Sequence, residues 1–174
     1  MKKSIGYQLT YAPVVLWSSI RITLLLSILN EWNSVQLDYV HAYPEAPIEK
    51  EMYMKIPVGI NIAKGEKEGF MLKMIRNIYG QKQAGRVWNK FLHNILLKLD
   101  FEQSQVDECV YYWDGVMYLA LHRRFITRQQ ERSQNLIISE LKITIEGKVA
   151  DFLGVHIQRM KDGNVRMPQP HLAK

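Results

Sequence analysis

The sequence predicts an α+β fold in which an antiparallel sheet packs on helices. Residues 84–99 form the clearest helical pattern, because apolar residues recur along one face at helical spacing. Asp114 and Gly115 separate two runs rich in β-forming residues, and an Asp-Gly pair in that position is a strong signal for a hairpin of antiparallel strands. The 174 residues, 47% of them apolar, are enough for one globular domain.

The first third of the chain predicts one helix and three short strands. Pro13 suits a first helical turn, and apolar residues recur after it at helical spacing, so a largely buried helix is predicted over residues 13–30. These apolar residues are Val14, Trp17, Ile20, Leu24 and Ile28. Strands are predicted at 34–39, around 52–54 and at 70–75, with a Gly/Lys-rich loop over 59–69.

The middle of the chain carries the helix and the hairpin on which the fold class depends. The apolar stripe of the helix consists of Ala84, Trp88, Phe91, Ile95 and Leu99. The two hairpin strands are predicted at 109–113 and 116–119. Trp88 is therefore predicted to lie in the core.

Residues 120–134 have a different character. They are crowded with basic and polar side chains, and only Leu121, Phe125 and Ile126 are large and apolar. Without an alternating apolar face this stretch does not predict a strand. We expect it to be poorly ordered or to form an exposed helix, which leaves the hairpin strand ahead of it with an open edge.

The last third of the chain predicts mainly antiparallel structure. A short helix is predicted at 136–141 and a strand at 142–145. A second hairpin is predicted from strands at 151–159 and 165–167, because the turn between them contains an Asp-Gly pair.

The composition bears on the cellular location of the protein and on the class of partner that it binds. One cysteine, Cys109, excludes a disulfide framework and a Cys-based zinc site and favours an intracellular location, cytoplasm or nucleus. Pro13 and Arg21 interrupt the most apolar stretch, so no membrane span is predicted, and the residues after Met1 are too polar for a signal peptide. A net charge of +6 suits a partner that is a polyanion but is weak evidence by itself.

Few residues carry a chemical signal of their own. The five histidines are not spaced like metal ligands, and neither a glycine-rich phosphate loop nor a Gly-x-Ser-x-Gly nucleophile motif occurs. Asp38 ends a predicted strand, where a carboxylate can hold a divalent cation or act as a turn residue. Cys109 is predicted as a small core residue rather than a nucleophile. Tyr43 can equally be a core aromatic or a site residue.

Several separate blocks, in order, resemble the copia-type retrotransposon reverse transcriptases. Residues 36–43 (Gln-Leu-Asp-Tyr-Val-His-Ala-Tyr) with 52–59 resemble the first catalytic block of that family. Residues 78–88 (Ile-Tyr-Gly-Gln-Lys-Gln-Ala-Gly-Arg-Val-Trp) resemble its Leu-Tyr-Gly-Leu-Lys-Gln-Ala-x-Arg-x-Trp block. Residues 107–111 resemble its Asp-x-Cys-Val-Tyr strand, and 152–157 its primer-gripping hairpin. The resemblance covers about residues 7–119 and 136–172.

The resemblance implies a reverse-transcriptase palm with partial fingers, two Mg²⁺ ions as cofactors and an RNA/DNA template-primer as partner. It implies that Asp38 is the first metal-binding carboxylate, with the Tyr39 carbonyl as a further metal ligand. Tyr43 would exclude a ribose 2′-hydroxyl from the incoming nucleotide. The residues that would lie by the template and nucleotide are Gln83, Ala84 and Arg86. The residues that would support the primer end are Phe152, Leu153 and Gly154.

The chain departs from the family pattern at its other catalytic carboxylates. Counting forward from the predicted strand at 116–119, Arg123 and Arg124 occupy the places of the two aspartates of the Tyr-x-Asp-Asp motif. One aspartate cannot hold two divalent cations, and two guanidinium groups would repel them. The peptide 121–125 can be encoded as TTA CAT CGA CGA TTC, which reads Tyr-Ile-Asp-Asp one nucleotide later. We interpret 120–135 as a frameshifted segment; the alternative is a basic surface loop.

The sequence therefore predicts a single truncated reverse-transcriptase domain over 7–174. Residues 7–119 would be partial fingers and palm, 120–135 the aberrant segment, and 136–174 the end of the palm with the primer-grip hairpin. We expect an inactive, degenerate fragment of an RNA-directed DNA polymerase. A second reason for inactivity is that the family's triphosphate-binding Lys/Arg residues are not found ahead of residue 11. The alternative is a non-catalytic, basic nucleic-acid-binding protein, because residues 64–100 contain eight Lys/Arg against three Asp/Glu, 8 − 3 = +5. Oligomeric state is not predicted.

Overall fold

The structure is a computed structural model that describes residues 10–60, 69–120, 124–128 and 131–148, and shorter stretches between 151 and 168. Its first elements are α1 (Trp17–Leu29), β1 (Ser34–Tyr39), α2 (Ala42–Glu45), β2 (Tyr53–Lys55), β3 (Met71–Lys73), α3 (Ala84–Lys98) and β4 (Glu102–Gln103). The next are β5 (Val110–Trp113), β6 (Val116–Leu119), β7 (Arg124–Arg128), α4 (Glu131–Glu140) and β8 (Ile143–Lys148). The last are β9 (Asp151–Phe152), β10 (Val155–His156), β11 (Gln158–Arg159) and β12 (Val165–Arg166).

A six-stranded sheet forms the centre of the fold. Its strand order is β4-β5-β6-β7-β1-β8, and every neighbouring pair is antiparallel. Three further pairs, β2–β3, β9–β10 and β11–β12, are separate two-stranded sheets. Helices and antiparallel strands in one chain confirm the predicted α+β class.

The chain forms two compact units. The first comprises residues 1–12 and 41–92, and the second 13–40 and 93–174. The six-stranded sheet, α1 and α4 belong to the second unit, whereas α2, β2 and β3 belong to the first. Helix α3 begins in the first unit and ends in the second.

The second unit has an aromatic and aliphatic core against the sheet. Ile20 and Leu24 of α1 and Leu37 of β1 are at most 2% exposed, and removal of these apolar side chains from water stabilises the unit. Tyr118 of β6 stacks edge-on against Phe101, with ring centroids 5.9 Å apart. Thr23 of α1 donates to the Met117 sulfur at 3.1 Å, so α1 contacts the β5–β6 hairpin directly.

In the first unit, two side chains bind the backbone carbonyls of residues 44–47, at the end of α2. Asn77 is buried, and its Nδ2 donates to the carbonyls of Ala46 and Pro47 at 2.9 and 3.2 Å. Arg76 donates to the Pro44 carbonyl at 3.3 Å. The last carbonyls of a helix have no partner within the helix, so these side chains supply partners at and just after the end of α2.

Most predicted elements are confirmed with small shifts in their ends. β1 and the β5–β6 hairpin lie where they were predicted, and α3 ends one residue earlier, at Lys98. α1 begins only at Trp17, four residues after Pro13, and α4 begins five residues before the predicted helix. The short α2 and β4 were not predicted.

One expectation, that 120–134 contains no strand and leaves β6 unpaired, was wrong. Residues 124–128 form β7, which pairs with β1 over five positions and with β6 through Tyr118 and Thr127. The physical reason is that strand pairing uses backbone groups, and the segment Arg-Phe-Ile-Thr-Arg contains three residues of high β-propensity. Two flanking strands that need partners override the poor side-chain pattern.

Among the described residues, no helix is long and apolar enough to cross a membrane.

Candidate functional site

Asp38 lies near the end of β1, between β7 and β8. The strand is buried along most of its length, and Asp38 itself is half-buried. Its Oδ1 is buried and has no hydrogen-bond partner among the described residues. A buried carboxylate oxygen without a partner is costly unless a cation or a donor satisfies it. Asp38 Oδ1 is therefore not satisfied by a capping contact among the described residues, and its implied role as a metal ligand stays a prediction.

The register of the sheet brings Arg124 to Asp38. In the antiparallel pair of β1 and β7, Asp38 and Arg124 are Cα partners, and on the other side of β1 the partner of Asp38 is Thr144. Arg124 is predicted to occupy the place of the second aspartate of the Tyr-x-Asp-Asp motif. The other predicted substitution of this kind, Arg123, lies outside the described residues.

The side chain of Tyr39 is buried in the core of the second unit. It is 5% exposed, and its hydroxyl shares a hydrogen bond with the hydroxyl of Tyr118. Burial raises the pKa of the Tyr118 hydroxyl well above its ordinary value. The role implied for Tyr39 concerned its backbone carbonyl, and that role stays a prediction.

Tyr43 belongs to the first unit and packs against an aromatic neighbour. It is 8% exposed on α2, and its ring centroid lies 4.7 Å from that of Tyr79. The residue before α2, His41, has a left-handed backbone with φ of 56°. Tyr43 is a core aromatic in this structure, and its implied role at a nucleotide stays a prediction.

The three residues predicted beside the template lie at the start of α3. Ala84 is 1% exposed, and half-buried Gln83 donates from Nε2 to the sulfur of Met52 at 2.8 Å. Arg86 forms an ion pair with Glu49, and both side chains are only a quarter to a third exposed. Of these three residues, Arg86 brings a formal charge to this part of the unit.

Glu49 is the main residue that the sequence analysis missed here. Its carboxylate binds Arg86 through Oε2 and lies 3.6 Å from the Lys90 ammonium through Oε1. The Arg86 hydrogen bond, opposed by burial and helped by the charges of Arg86 and Lys90, lowers the pKa of Glu49. The only sequence signal was the spacing of Arg86 and Lys90, four residues apart on a predicted helix, which puts two cations on one face.

Asp107 is a second residue whose role the sequence did not reveal. It is buried, and its carboxylate accepts from the backbone N–H groups of Leu16 and Cys109, each at 2.9 Å. Leu16 directly precedes α1, so Asp107 binds the entrance of that helix to the start of β5. The carboxylate of the Asp-x-Cys-Val-Tyr block is structural here.

Of the three predicted primer-grip residues, Phe152 lies within the described part of the chain. Phe152 lies in β9 and pairs through its backbone with Val155 of β10. Leu153 and Gly154, which connect these two strands, lie outside the described residues.

The described residues do not fit a site for two divalent cations. They contain no group of three or more His, Cys, Asp or Glu side chains that could hold a metal ion. Asp38 offers one carboxylate, and its neighbour in the β7 register is an arginine, which has no acceptor atom for a cation. Magnesium prefers several oxygen ligands in octahedral geometry.

Comparison with known proteins identifies the lineage of the chain. The family model described as reverse transcriptase (RNA-dependent DNA polymerase) matches residues 2–172. The retrovirus-related Pol polyprotein from transposon TNT 1-94 of Nicotiana tabacum is 32% identical over 111 residues, 64% of this chain and 8% of that protein. The Pol polyprotein from transposon RE1 of Arabidopsis thaliana is 32% identical over 110 residues, 63% of this chain and 7% of that protein.

A yeast relative extends the similarity. The transposon Ty1-MR1 Gag-Pol polyprotein of Saccharomyces cerevisiae is 27% identical over 150 residues, 78% of this chain and 8% of that protein. The chain thus spans less than a tenth of the length of these curated relatives, and no solved structure matches it. Because the family match covers nearly every residue, the chain belongs to the reverse transcriptase (RNA-dependent DNA polymerase) family, in its copia-type retrotransposon branch.

Proposed function

We propose that this chain is a degenerate fragment of a retrotransposon RNA-directed DNA polymerase that no longer catalyses nucleotide addition. The observation that carries the proposal is the register of β1 and β7, in which Arg124 is the partner of Asp38. Nucleotidyl transfer needs two cations that activate the primer hydroxyl and stabilise the leaving pyrophosphate. A carboxylate beside an arginine does not supply the negative charge for such a pair of ions.

The finer architecture belongs to the same proposal. The six-stranded sheet would correspond to the palm and the first unit to partial fingers, within one truncated domain over 7–174. Asp38 and the Tyr39 carbonyl are the residues that would contact Mg²⁺ in an intact relative, and Tyr43, Gln83, Ala84 and Arg86 those near nucleotide and template. Phe152, Leu153 and Gly154 would support the primer. Support comes from the family match over residues 2–172.

A frameshift would explain how Arg123 and Arg124 entered the motif. The proposal requires codons for residues 121–124 that read Tyr-x-Asp-Asp in a shifted frame, and a compensating change before Asp151. The encoding nucleotides test it directly. Codons that give no Tyr-x-Asp-Asp in either shifted frame would contradict the frameshift, and the arginines would then need another explanation.

Primer extension with the full chain tests the loss of activity. We expect no templated DNA synthesis with Mg²⁺ on a primed RNA template, under conditions in which an active reverse transcriptase extends the same primer. A matched variant, Asp38→Asn, should behave like the unchanged chain. If the unchanged chain extends the primer and Asp38→Asn abolishes this extension, Asp38 still supports catalysis and the proposal is refuted.

The second candidate function is nucleic-acid binding without catalysis. Within the described part of the first unit, residues 41–60 and 69–92, there are seven Lys/Arg against three Glu, 7 − 3 = +4. Such an excess attracts a phosphate backbone, and the affinity for it falls steeply with salt. A fluorescent single-stranded oligonucleotide should bind at low ionic strength with an affinity that decreases as chloride is added. Affinity that does not depend on salt would contradict an electrostatic interface.

A further inference from the structure

The side chains of Arg86 and Lys90 share one anionic occupant. They lie one turn apart on α3, and the carboxylate of Glu49 bridges them, one oxygen toward each cation. Arg86 is 25% exposed and Lys90 is 64% exposed, so the pair borders solvent. A carboxylate between a guanidinium and an ammonium takes the position that a phosphate oxygen pair would take.

The chain on either side of Glu49 is fixed by contacts of its own. Asn77 and Arg76 bind the carbonyls of residues 44–47, just before Glu49. Two residues further on, Glu51 forms an ion pair with Lys73. The acids of this segment therefore neutralise cations of the first unit in pairs, and each such cation could otherwise contact a phosphate.

We propose that Arg86 and Lys90 form a binding site for a backbone phosphate of single-stranded nucleic acid, and that Glu49 is its built-in competitor. This assignment depends on the nucleic-acid binding proposed above. A nucleic acid is favoured over an isolated anion because the described part of the first unit carries seven Lys/Arg against three Glu, an excess of positive charge that attracts a polyanion. Binding requires the phosphate to replace the Glu49 carboxylate, so Glu49 lowers the affinity.

The structure offers a matched control in the second unit. Glu140 of α4 forms an ion pair with Lys98, 3.0 Å from nitrogen to oxygen, and its side chain is 34% exposed against 30% for Glu49. Glu140→Gln and Glu49→Gln remove the same charge from side chains of similar exposure. A difference between the two variants therefore reports the position of the charge and not the net charge.

The experiment measures binding of a fluorescent oligo-dT to the full chain by anisotropy, at low and at higher chloride concentration. We expect Glu49→Gln to bind about two- to tenfold more tightly at low salt, since it no longer has two ion pairs to break. The gain should shrink as salt screens those pairs. Glu140→Gln should change the affinity less than about 1.5-fold, as expected for a charge outside the contact.

A triple variant, Glu49→Gln with Arg86→Gln and Lys90→Gln, tests the cations themselves. If the two cations hold one phosphate, this variant should lose the gain, and its slope of log affinity against log salt should be shallower by about 0.7. Circular dichroism and the thermal midpoint should match those of Glu49→Gln, because the three exchanges remove the ion pairs together. A slope that does not change would contradict a phosphate contact at these residues.

The remaining outcomes separate the two proposals. If the unchanged chain binds and Glu49→Gln binds no better than Glu140→Gln, the competitor role is refuted while nucleic-acid binding stands. If neither the unchanged chain nor Glu49→Gln binds, both proposals fail. A gain that inorganic phosphate abolishes, at an ionic strength at which chloride does not, would assign the site to free phosphate and overturn the nucleic-acid assignment.

Discussion

At the scale of single residues, two aspartates in separate family blocks have different surroundings. Among the described residues Asp38 Oδ1 has no hydrogen-bond partner, whereas both oxygens of Asp107 accept backbone N–H groups. The sequence alone does not distinguish these cases, because each aspartate adjoins a predicted strand within a family motif. The distinguishing fact is a contact with Leu16, 91 residues away in the chain.

Asp107→Ala should destabilise the protein by about 1–3 kcal/mol, because it leaves the buried N–H of Cys109 and the partly buried N–H of Leu16 without their acceptor. The entrance of α1 should loosen first, since the Leu16 N–H lies there. Urea unfolding followed by circular dichroism measures the loss. The neighbouring Glu108→Ala, at an exposed position, is the control and should stay within about 0.5 kcal/mol. Equal effects of the two changes would refute a structural role for the Asp107 carboxylate.

Trp88 is the second residue whose substitution should change the free energy of unfolding by a predictable amount. It is 2% exposed, and its ring lies 5.9 Å from that of Phe91. Trp88→Ala should cost about 3–5 kcal/mol in the free energy of unfolding, as large core truncations do. Leu97→Ala on the same helix, at a position 46% exposed, should cost much less. A loss below about 1 kcal/mol for Trp88→Ala would mean that this face of α3 is not packed.

At the scale of elements, local signals predicted the structure where they were strong. The stripe of α3 and the Asp-Gly turn between β5 and β6 are decided within a few residues, and both elements were confirmed. β7 depends instead largely on β1, which is distant in sequence and pairs with it over five positions, so the side-chain pattern of β7 itself did not reveal it. The same limit applied to the candidate site, where Asp38 was found by its motif but its register with Arg124 was not.

A proline at position 126 tests whether β7 is a true central strand. Ile126 pairs with Gln36 in the register of β1 and β7, and proline removes a backbone donor that a central strand needs. Ile126→Pro should therefore lower the free energy of unfolding by about 3 kcal/mol or more. Glu102→Pro on β4, at the edge of the sheet, is the matched control and should be tolerated better. Similar losses from both substitutions would contradict the central position of β7.

At the scale of the whole molecule, three acidic groups share the core of the second unit. Cys109 and Tyr118 are fully buried, and Tyr111 is 1% exposed. Burial, with smaller effects from Asp107 and Glu108, raises the pKa of Cys109 to about 12. Burial also raises the pKa of Tyr111 to about 12 and that of Tyr118 well above its ordinary value. The folded protein thus keeps protons that the unfolded chain releases in alkali.

Stability should therefore be highest below the ordinary pKa values of these groups and should fall in alkali. The unfolded chain begins to lose the Cys109 proton near pH ~8.5 and the tyrosine protons near pH ~10, whereas the folded chain holds the Cys109 and Tyr111 protons to about 12. Between those values each group lowers the free energy of unfolding by up to about 1.4 kcal/mol per pH unit. Urea unfolding at a series of pH values measures the slope. Cys109→Ala should remove the part that begins near pH ~8.5 and leave the tyrosine part in place. A free energy of unfolding that stays constant up to pH ~11 would show that these side chains are not held protonated in the folded core.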